Sequence, residues 1–226
     1  MKWVVYAIEL QDISKQFSGH EVLKNIQLKI GQGQTVGIVG GNGSGKSVLF
    51  KLICGFVVPT SGQIKIRQQV LGEQIDFPEG VGVFINEPGY IELFSGFKNL
   101  QYLAAITNRI TDKQIEKAMQ LVGLNPKNKA KVKDYSLGMK QKLGIAQAIM
   151  ENQDILILDE PFNALDYKTY QDVKEIIKHL KEQQKTILLT SHHFADIEEL
   201  CDEIFVIEDG ELIPLTDHYK KQFMKK

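Results

Sequence analysis

The chain has 226 residues, 43% of them apolar and 24% charged, and is long enough to bury the core of one large α/β domain. Its formal net charge of −1 provides no strong field for recruiting nucleic acid, so we expect no nucleic-acid partner. No apolar run approaches the roughly 18 residues needed to cross a bilayer. We therefore expect a cytoplasmic protein that reaches a membrane only through a partner.

Strand patterns fill the first third of the chain. Apolar or alternating runs, separated by the turn signals "SGH" and "GQG", predict strands at Val4–Leu10, Val22–Ile30 and Gln34–Val39. This region is therefore expected to be rich in β structure.

A glycine-rich segment, "GGNGSGKS", follows the third strand and precedes apolar residues spaced like the buried face of a helix. Gly40 and Gly45 enclose four residues and precede Lys46 and Ser47, which is the spacing of a phosphate-binding loop. Backbone N–H groups of such a loop bind an anion, the lysine pairs with phosphate oxygens, and the serine hydroxyl can bind Mg²⁺. A plain glycine-rich turn is the alternative, but it does not account for Lys46 and Ser47. The nucleotide-binding residues expected here are Gly40, Gly41, Asn42, Gly43, Ser44, Gly45, Lys46, Ser47 and Val48.

Beyond this loop the chain alternates between strand and helix patterns. Short strands are predicted at Ile64–Ile66 and Gly80–Ile85. From about Leu100 to Met150 the pattern is helical, broken at "GLNPKNK" and resumed over Leu143–Met150. Two buried strands, in "DILILDEP" and "KTILLTSHH", enclose a helix with one apolar stripe. Strand, helix and strand in this order predict parallel strands, and "EDGE" predicts a hairpin. The helical stretch interrupts the α/β pattern, which indicates an inserted α-helical subdomain.

Two carboxylates end the apolar strand "ILILDEP". An acid at the carboxyl end of a parallel strand points into the ligand crevice. We expect Asp159 to hold Mg²⁺ through water and Glu160 to polarise the attacking water. Acids also favour helix starts, so a helix cap is the alternative. The phosphate loop earlier in the chain favours the catalytic interpretation.

The segment "DYSLGMKQKLGIAQAIM" carries the resemblance to a known family. Tyr135-Ser136-Leu137-Gly138-Met139, followed by "KQK", resembles the LSGGQ signature of the ATP-binding subunits of ABC transporters. Ser136 would cap a helix whose free N–H groups face an anion, and an ordinary capped helix is the alternative. The resemblance implies that Ser136 and Gly138 bind nucleotide.

Other landmarks of this family follow in order over about Glu9 to Leu212. "NALD" resembles the D-loop, "TSHH" places His192 at the switch histidine, and Phe17 stands where an aromatic residue stacks on adenine. The resemblance implies that His192 is catalytic together with Glu160, because a neutral imidazole can hydrogen-bond the γ-phosphate or the attacking water. Without the other motifs, His192 and Phe17 would more often be structural. "SLGMKQKLGIA" and "INEPGY" most resemble the ATPases of bacitracin- and lantibiotic-type resistance exporters.

Two places depart from the family pattern. Asn86 stands where the family has the Q-loop glutamine, a metal ligand, and its shorter side chain would need a bridging water. Leu137 and Met139 replace a glycine and the glutamine of the signature, whereas Ser136 and Gly138 remain. The γ-phosphate contacts can survive these changes, while contacts to the ribose or to a partner subunit would weaken.

The resemblance implies the P-loop NTPase fold of an ABC ATPase, an α/β fold with a mostly parallel sheet, an N-terminal antiparallel β-subdomain and an inserted α-helical subdomain. Residues 1–226 would form one ABC ATPase domain, with a nucleotide-binding core of about 1–85 and 153–226 and a helical subdomain of about 86–152. ATP and Mg²⁺ would be bound by a head-to-tail dimer of ATPase subunits. Hydrolysis would drive a separate transmembrane permease at the inner face of the cell membrane. The exporter-type motifs imply an antimicrobial peptide, drug or similar compound as cargo.

Other nucleotide-binding classes fit less well. A P-loop kinase has no use for "LDEP" followed by "NALD" and "TSHH". A soluble ABC ATPase acting on ribosomes usually joins two such domains in one chain, and one acting in DNA repair would carry a long coiled-coil insert. A scaffold with little turnover would not need both Glu160 and His192. The choice between homodimer and heterodimer stays open, as do the transported compound and the choice between import and export, although the exporter-type motifs favour export.

An apolar loop is the expected docking site of the permease. The segment Asn86–Phe97 is broken by proline and glycine and keeps more large apolar groups than a solvated loop usually does. These groups are Tyr90, Ile91, Leu93, Phe94 and Phe97. In the family this loop borders the cleft that receives the coupling helix of the permease. Two alternatives are that these side chains pack the helical subdomain, or that the lysine-rich tail "YKKQFMKK" contacts the membrane instead.

Overall fold

A computed structural model of the chain describes residues 5–85 and 89–223. Its strands are β1 (Tyr6–Phe17), β2 (His20–Gly31), β3 (Thr35–Gly40), β4 (Ser61–Ile66), β5 (Gln69–Val70), β6 (Val81–Phe84), β7 (Ile155–Leu158), β8 (Thr186–Thr190), β9 (Glu203–Glu208) and β10 (Glu211–Pro214). Its helices are α1 (Lys46–Ile53), α2 (Gly96–Thr107), α3 (Asp112–Leu121), α4 (Leu137–Ile149), α5 (Tyr167–Glu182), α6 (Phe194–Leu200) and α7 (Asp217–Phe223). Over these two described ranges, no helix has the length and apolar character needed to span a bilayer.

The phosphate loop follows β3, an inner strand of the six-stranded, mostly parallel sheet. The order of this sheet is β10-β9-β3-β8-β7-β6, and β3 pairs in parallel with β8 on one side and β9 on the other. β6, β7 and β8 are also parallel, whereas β9 and β10 form the predicted antiparallel hairpin. Because the carboxyl ends of parallel strands lie on the same side of a sheet, the loops after β3, β7 and β8 meet there.

The antiparallel sheet has the order β2-β1-β4-β5. Ile8 and Leu10 of β1 are buried, while Glu9 between them is partly exposed, as expected for a sheet with one covered face. Asp12 has a φ of 52°, and the pairing with β2 shifts register between Leu10 and Ile13. This bulge lets β1 continue to Phe17 instead of ending at Leu10 as predicted.

Each face of the parallel sheet is covered by its own hydrophobic cluster. Strand β7 shows the division, because Ile155 and Ile157 pack with the antiparallel sheet and α1, while Leu156 and Leu158 pack with the helices α2 to α6. A strand covered on both faces needs apolar residues at every position, which explains the unbroken run "ILIL".

The described part of the stretch between β6 and β7 contains three α-helices. The predicted break at "GLNPKNK" falls between α3 and α4, whereas the division between α2 and α3 was not predicted. Helix α2 begins earlier than predicted, at Gly96, after Ser95 accepts a hydrogen bond from the Lys98 N–H. Helix α3 begins with a capping box in which Thr111 and Gln114 satisfy each other's backbone N–H groups. The α/β class, the mostly parallel sheet, the antiparallel sheet and the intervening helices are therefore as predicted.

Candidate functional site

The phosphate loop joins β3 to α1, and two of its glycines are required by close packing. A Cβ on Gly40 would lie 2.6 Å from the Ile207 carbonyl oxygen, and one on Gly45 would lie 2.8 Å from a Leu23 methyl group. Gly45 also has a φ of 107°, which disfavours any L side chain. The loop therefore keeps its curled backbone, with the free N–H groups at the start of α1 available to an anion. The Val48 side chain packs against the hydrophobic cluster beneath the antiparallel sheet and α1.

Lys46 lies beneath this loop and is only 8% exposed. Its Nζ donates hydrogen bonds to the carbonyl oxygens of Gly40 at 2.9 Å and Gly41 at 3.0 Å. These carbonyls hold the ammonium group inside the curl of the loop, where phosphate oxygens would otherwise be its partners.

A short hydrogen-bond chain connects the phosphate loop to the ends of β7 and β8. Ser47 Oγ donates to Asp159 Oδ2 at 2.6 Å, and Thr190 Oγ1 donates to Asp159 Oδ1 at 2.7 Å. The same Thr190 hydroxyl oxygen accepts from the Glu160 N–H at 2.8 Å. Thr190 was not among the residues expected from the sequence. Its place at the end of β8, directly before "SHH", is the signal that could have identified it.

Glu160 and His192 face each other at the end of this series of hydrogen bonds. His192 Nε2 lies 3.5 Å from Glu160 Oε1, and that carboxylate oxygen is buried with no hydrogen-bond partner among the described residues. Glu160 has a φ of 53°, a left-handed backbone that is unusual outside glycine and concentrates at functional sites. Burial raises the pKa of Glu160, and the nearby Asp159 adds to this rise, while His192 and Lys46 oppose it. A carboxylate in this state is suited to accept a proton from water.

The donor set at this edge fits a magnesium–nucleotide complex. Ser47 and Asp159 supply hard oxygen ligands within 2.6 Å of each other, beside a cavity of about 220 Å³ that Glu160 also lines. Mg²⁺ is usually held by one or two carboxylates together with substrate phosphates, and not by a cage of protein ligands. Within residues 5–85 and 89–223, no cluster of three or more His, Cys, Asp or Glu suited to a metal occurs. Asn86, the third expected metal ligand, lies outside the described residues.

Phe17 ends β1 and is 43% exposed. Lys15 Nζ lies 4.8 Å from the centre of its ring. An exposed aromatic face of this kind is available for stacking, whereas a core phenylalanine would not be. Its stacking on adenine remains a prediction.

The signature segment begins α4 on the helical side of the crevice. Ser136 caps the helix by accepting a hydrogen bond from the Met139 N–H at 3.2 Å. A Cβ on Gly138 would lie 2.5 Å from a Thr169 methyl group, so packing against α5 requires the glycine. Among the described residues, no hydrogen bond joins Ser136 or Gly138 to the phosphate loop of the same chain. Leu137, one of the two departures from the family pattern, lines the cavity beside Glu160.

The expected docking segment divides into inward and outward side chains. Tyr90 and Phe97 pack against the helical cluster, and the Tyr90 hydroxyl donates to the Lys140 carbonyl oxygen at 3.2 Å. Ile91 is 48% and Leu93 is 63% exposed, and Phe94 stacks on Tyr102 with ring centres 5.4 Å apart. Positions 86–88 of the segment lie outside the described residues.

Comparison with known proteins identifies the family of the chain. A family model described as "ABC transporter" matches residues 23–163. The chain is 40% identical over 205 residues to the uncharacterized ABC transporter ATP-binding protein YybJ of Bacillus subtilis (strain 168), covering 91% of this chain and 94% of YybJ. It is 36% identical to the bacitracin transport ATP-binding protein BcrA of Enterococcus faecalis, with 92% of this chain and 68% of BcrA covered. It is 33% identical to the lantibiotic transport ATP-binding protein SrtF of Streptococcus pyogenes, with 91% and 89% covered.

Solved structures agree with this result at the level of the fold. A dimeric structure of MJ0796, a bacterial ABC transporter cassette, has a TM-score of 0.80 and 25% identity, with 91% of this chain and 96% of that chain covered. The cbiO1 protein from Clostridium perfringens has a TM-score of 0.80 at 24% identity, with 98% and 92% covered. Together with the phosphate loop, the acidic pair and the facing histidine, these similarities show that the chain belongs to the ABC transporter family as an ATP-binding ABC ATPase.

Proposed function

We propose that this chain is the ATP-hydrolysing subunit of an ABC exporter and works at the inner face of the cell membrane through a separate permease. The observation that carries the proposal is the hydrogen-bond chain from Ser47 through Asp159 and Thr190 to Glu160, which joins the phosphate loop to the acidic pair. A nucleotide-binding scaffold without turnover would need the phosphate loop but not a buried carboxylate beside a histidine.

Each residue of the crevice has a distinct part in the proposed chemistry. Lys46 would exchange its two carbonyl partners for β- and γ-phosphate oxygens, and Ser47 and Asp159 would hold Mg²⁺. The bound Mg²⁺ would neutralise charge that develops on the phosphates. Glu160 would orient the attacking water and accept its proton, since burial keeps its pKa above the ordinary value. His192, at 3.5 Å from Glu160, would hydrogen-bond the γ-phosphate or that water.

A second ATPase subunit completes the proposed site. Ser136 and Gly138 lie at the N-terminus of α4, where free N–H groups favour an anion. Since they make no described hydrogen bond to their own phosphate loop, they would meet ATP bound by the partner in a head-to-tail dimer. The dimeric structure of the MJ0796 cassette supports this arrangement. In this proposal residues 86–152 act as the helical subdomain that carries the signature to the partner, and residues 1–85 and 153–226 hold the nucleotide.

The permease would dock on an exposed apolar face beside the helical subdomain. Ile91, Leu93, Phe94 and the neighbouring residues Tyr102 and Ile106 of α2 present large apolar groups to solvent or stack on one another. Clustered exposed apolar groups favour a protein partner over bulk water. The same loop is fixed to α4 through Tyr90 and Lys140, so movement of a docked permease would reach the signature helix.

Export of a peptide antibiotic or a similar compound is the proposed transport function. The relatives BcrA and SrtF, which are described as bacitracin and lantibiotic transport ATP-binding proteins, support this class of cargo. The cargo itself would be selected by the permease, because this chain contributes the ATPase site.

The experiment that tests the proposal coexpresses the chain with the membrane protein encoded in the neighbouring reading frame. The purified complex is placed in lipid vesicles, and ATP hydrolysis is measured with and without Mg²⁺, bacitracin and a lantibiotic. We expect Mg²⁺-dependent hydrolysis that one of the peptides stimulates. Hydrolysis by a chain that never copurifies with a membrane protein would instead favour a soluble ABC ATPase.

A further inference from the structure

Tyr170 of α5 lies between the two loops that carry the catalytic pair. Its ring centre is 5.5 Å from that of Phe162, which follows Glu160 closely in the chain, and 6.4 Å from that of His193, which follows His192. The ring of His193, the second histidine of "SHH", meets Tyr170 edge-on at 84°, although His193 itself is exposed. Tyr170 therefore contacts neighbours of both catalytic residues without being one of them.

The Tyr170 hydroxyl donates a hydrogen bond to the carboxylate of Asp196, in the first turn of α6. Asp196 is 0% exposed and has two further partners among the described residues. Ser191 Oγ donates to its Oδ2 at 3.2 Å, and Lys174 Nζ lies 3.6 Å from its Oδ1. Ser191 also accepts a hydrogen bond from the His193 N–H at 3.0 Å. The residues on both sides of His192 are thus tied to one buried carboxylate.

Stability alone gives little reason to place a carboxylate here. A buried ion pair often contributes no more to stability than well-packed apolar side chains of similar volume. A buried carboxylate with several donors does, however, fix the positions of those donors closely. Burial, together with the hydrogen bond to Asp196, raises the pKa of Tyr170 further above its ordinary value, at which the phenol is already protonated at neutral pH.

We propose that Tyr170 and Asp196 are positioning residues for hydrolysis. They fix Ser191 and His193, the two residues that flank His192, and so set the position of His192 relative to Glu160. This inference rests on the proposed catalytic role of His192. Within the described part of the chain, neither side chain makes a hydrogen bond to the phosphate loop, and both act through the backbone of the loop after β8. Without the Tyr170 hydroxyl, Asp196 loses one of its donors, and Lys174 remains as its partner on α5. The loop that carries His192 is then held less closely against α5.

The test is a double-mutant cycle on the full-length chain, with single-turnover ATP hydrolysis as the readout. The cycle compares the wild type, Tyr170→Phe, His192→Ala and the double variant. We expect Tyr170→Phe to lower the hydrolysis rate at saturating ATP by about tenfold, as is typical when a supporting partner is removed, with the KM for ATP within about twofold of the wild type. In the His192→Ala background, Tyr170→Phe should produce no further loss, because two residues that act through one group are not additive.

Two outcomes overturn the inference while leaving the role of His192 intact. These are an unchanged rate for Tyr170→Phe when His192→Ala is slow, and the same loss from Tyr170→Phe in both backgrounds. A normal rate for His192→Ala would overturn the inference and the catalytic role of His192 together.

A control and two further variants separate positioning from folding. Ile176→Val changes a buried residue of the same helix that lies outside the crevice, and we expect it to lower the melting temperature without lowering the hydrolysis rate. Ser191→Ala and Asp196→Asn remove other members of the network and enter the same cycle if Tyr170→Phe does not fold. A loss of rate in the Ile176→Val control equal to that of the network variants would show that α5 acts only through stability.

Discussion

Ser47 Oγ and Asp159 Oδ2 lie 2.6 Å apart although 112 residues separate them in the sequence. Ser47 is in the first turn of α1, and Asp159 follows β7, which is two strands away from β3 in the sheet order. This contact depends on the parallel arrangement, because it places the start of α1 and the carboxyl end of β7 on the same side of the sheet. The oxygens proposed to share Mg²⁺ are thus brought together before any ligand binds, which lowers the ordering required on binding.

Substitution Ser47→Ala should raise the Mg²⁺ concentration needed for half-maximal hydrolysis. The alanine removes one of the two proposed oxygen ligands and leaves Asp159 with Thr190 as its hydroxyl partner. We expect a shift of about tenfold, the usual scale for losing a supporting group at a metal site. Titration of Mg²⁺ at fixed ATP measures it, and ATP affinity in the presence of a chelator serves as the internal control. An unchanged Mg²⁺ dependence would remove Ser47 from the metal site.

Substitution Lys46→Ala should weaken ATP binding by at least about tenfold, since hydrogen bonds to a charged group contribute about 1.5–3 kcal/mol. Isothermal titration calorimetry measures the affinity. Lys51→Ala is the matched control, because Lys51 lies in the last turn of the same helix and outside the phosphate loop. Equal affinities for both variants would contradict the assignment of Lys46 to the phosphates.

Substitution Glu160→Gln should keep ATP binding and nearly abolish turnover. Glutamine preserves the size of the side chain but cannot accept a proton from the attacking water. ATP that is bound but not hydrolysed should hold two subunits together, so a dimer should accumulate. Size-exclusion chromatography with light scattering detects this dimer. Hydrolysis within a few-fold of the wild-type rate would show that another group acts as the base.

The same substitution should stabilise the ligand-free fold at neutral pH. Burial raises the pKa of Glu160 above its ordinary value, so the ionised side chain opposes folding. This penalty is complete above the folded-state pKa, and it disappears below the unfolded-state pKa, where the side chain is protonated in both states. We expect Glu160→Gln to be more stable than the wild type at pH 7, with the difference disappearing as the pH falls below the unfolded-state pKa of a glutamate. Urea denaturation at pH 7 and at a pH below that pKa measures it, and a difference that grows on acidification would contradict the assigned sign.

The sequence predicted the elements whose pattern is local. The strand before Gly40, the apolar run before Asp159 and the apolar stripe of α5 each follow from residue spacing alone. The phosphate loop and the acidic pair also have fixed spacings, so the order of residues along the chain is enough to locate them.

Relations between distant segments could not be predicted in the same way. The sequence treated Tyr90 to Phe97 as one apolar group, because periodicity gives no face in a loop broken by glycine. The structure turns Tyr90 and Phe97 inward and leaves Leu93 outward. The bulge at Asp12 that extends β1 to Phe17 likewise depends on pairing with β2, which the spacing within β1 does not encode.

Because some side chains of the docking segment point inward and others are exposed, variants can be chosen that change only the exposed ones. Ile91→Ser together with Leu93→Ser removes two exposed apolar groups without disturbing Tyr90 or Phe97, and it should abolish copurification of the permease. Val5→Ser is the matched control, since Val5 is an exposed apolar residue just before β1. Val5 lies near the amino-terminal ends of the parallel strands. Two residues after it, the Ala7 carbonyl accepts a hydrogen bond from the Arg67 N–H, and the Arg67 side chain pairs with Asp154, directly before β7.

The lysine-rich tail is the competing docking site for this experiment. Part of it forms α7, whose Phe223 stacks on Phe194 and whose Lys220 pairs with Glu198, so truncation there would also disturb α6. A better test replaces Lys221 with glutamate, which changes the charge available to anionic lipid by two and leaves these contacts in place. Loss of the permease from the Lys221 variant but not from the Ile91 and Leu93 variant would transfer docking from the loop to the tail. Loss from the loop variant alone, with Val5→Ser normal and all three chains folded, is the result expected from an apolar interface.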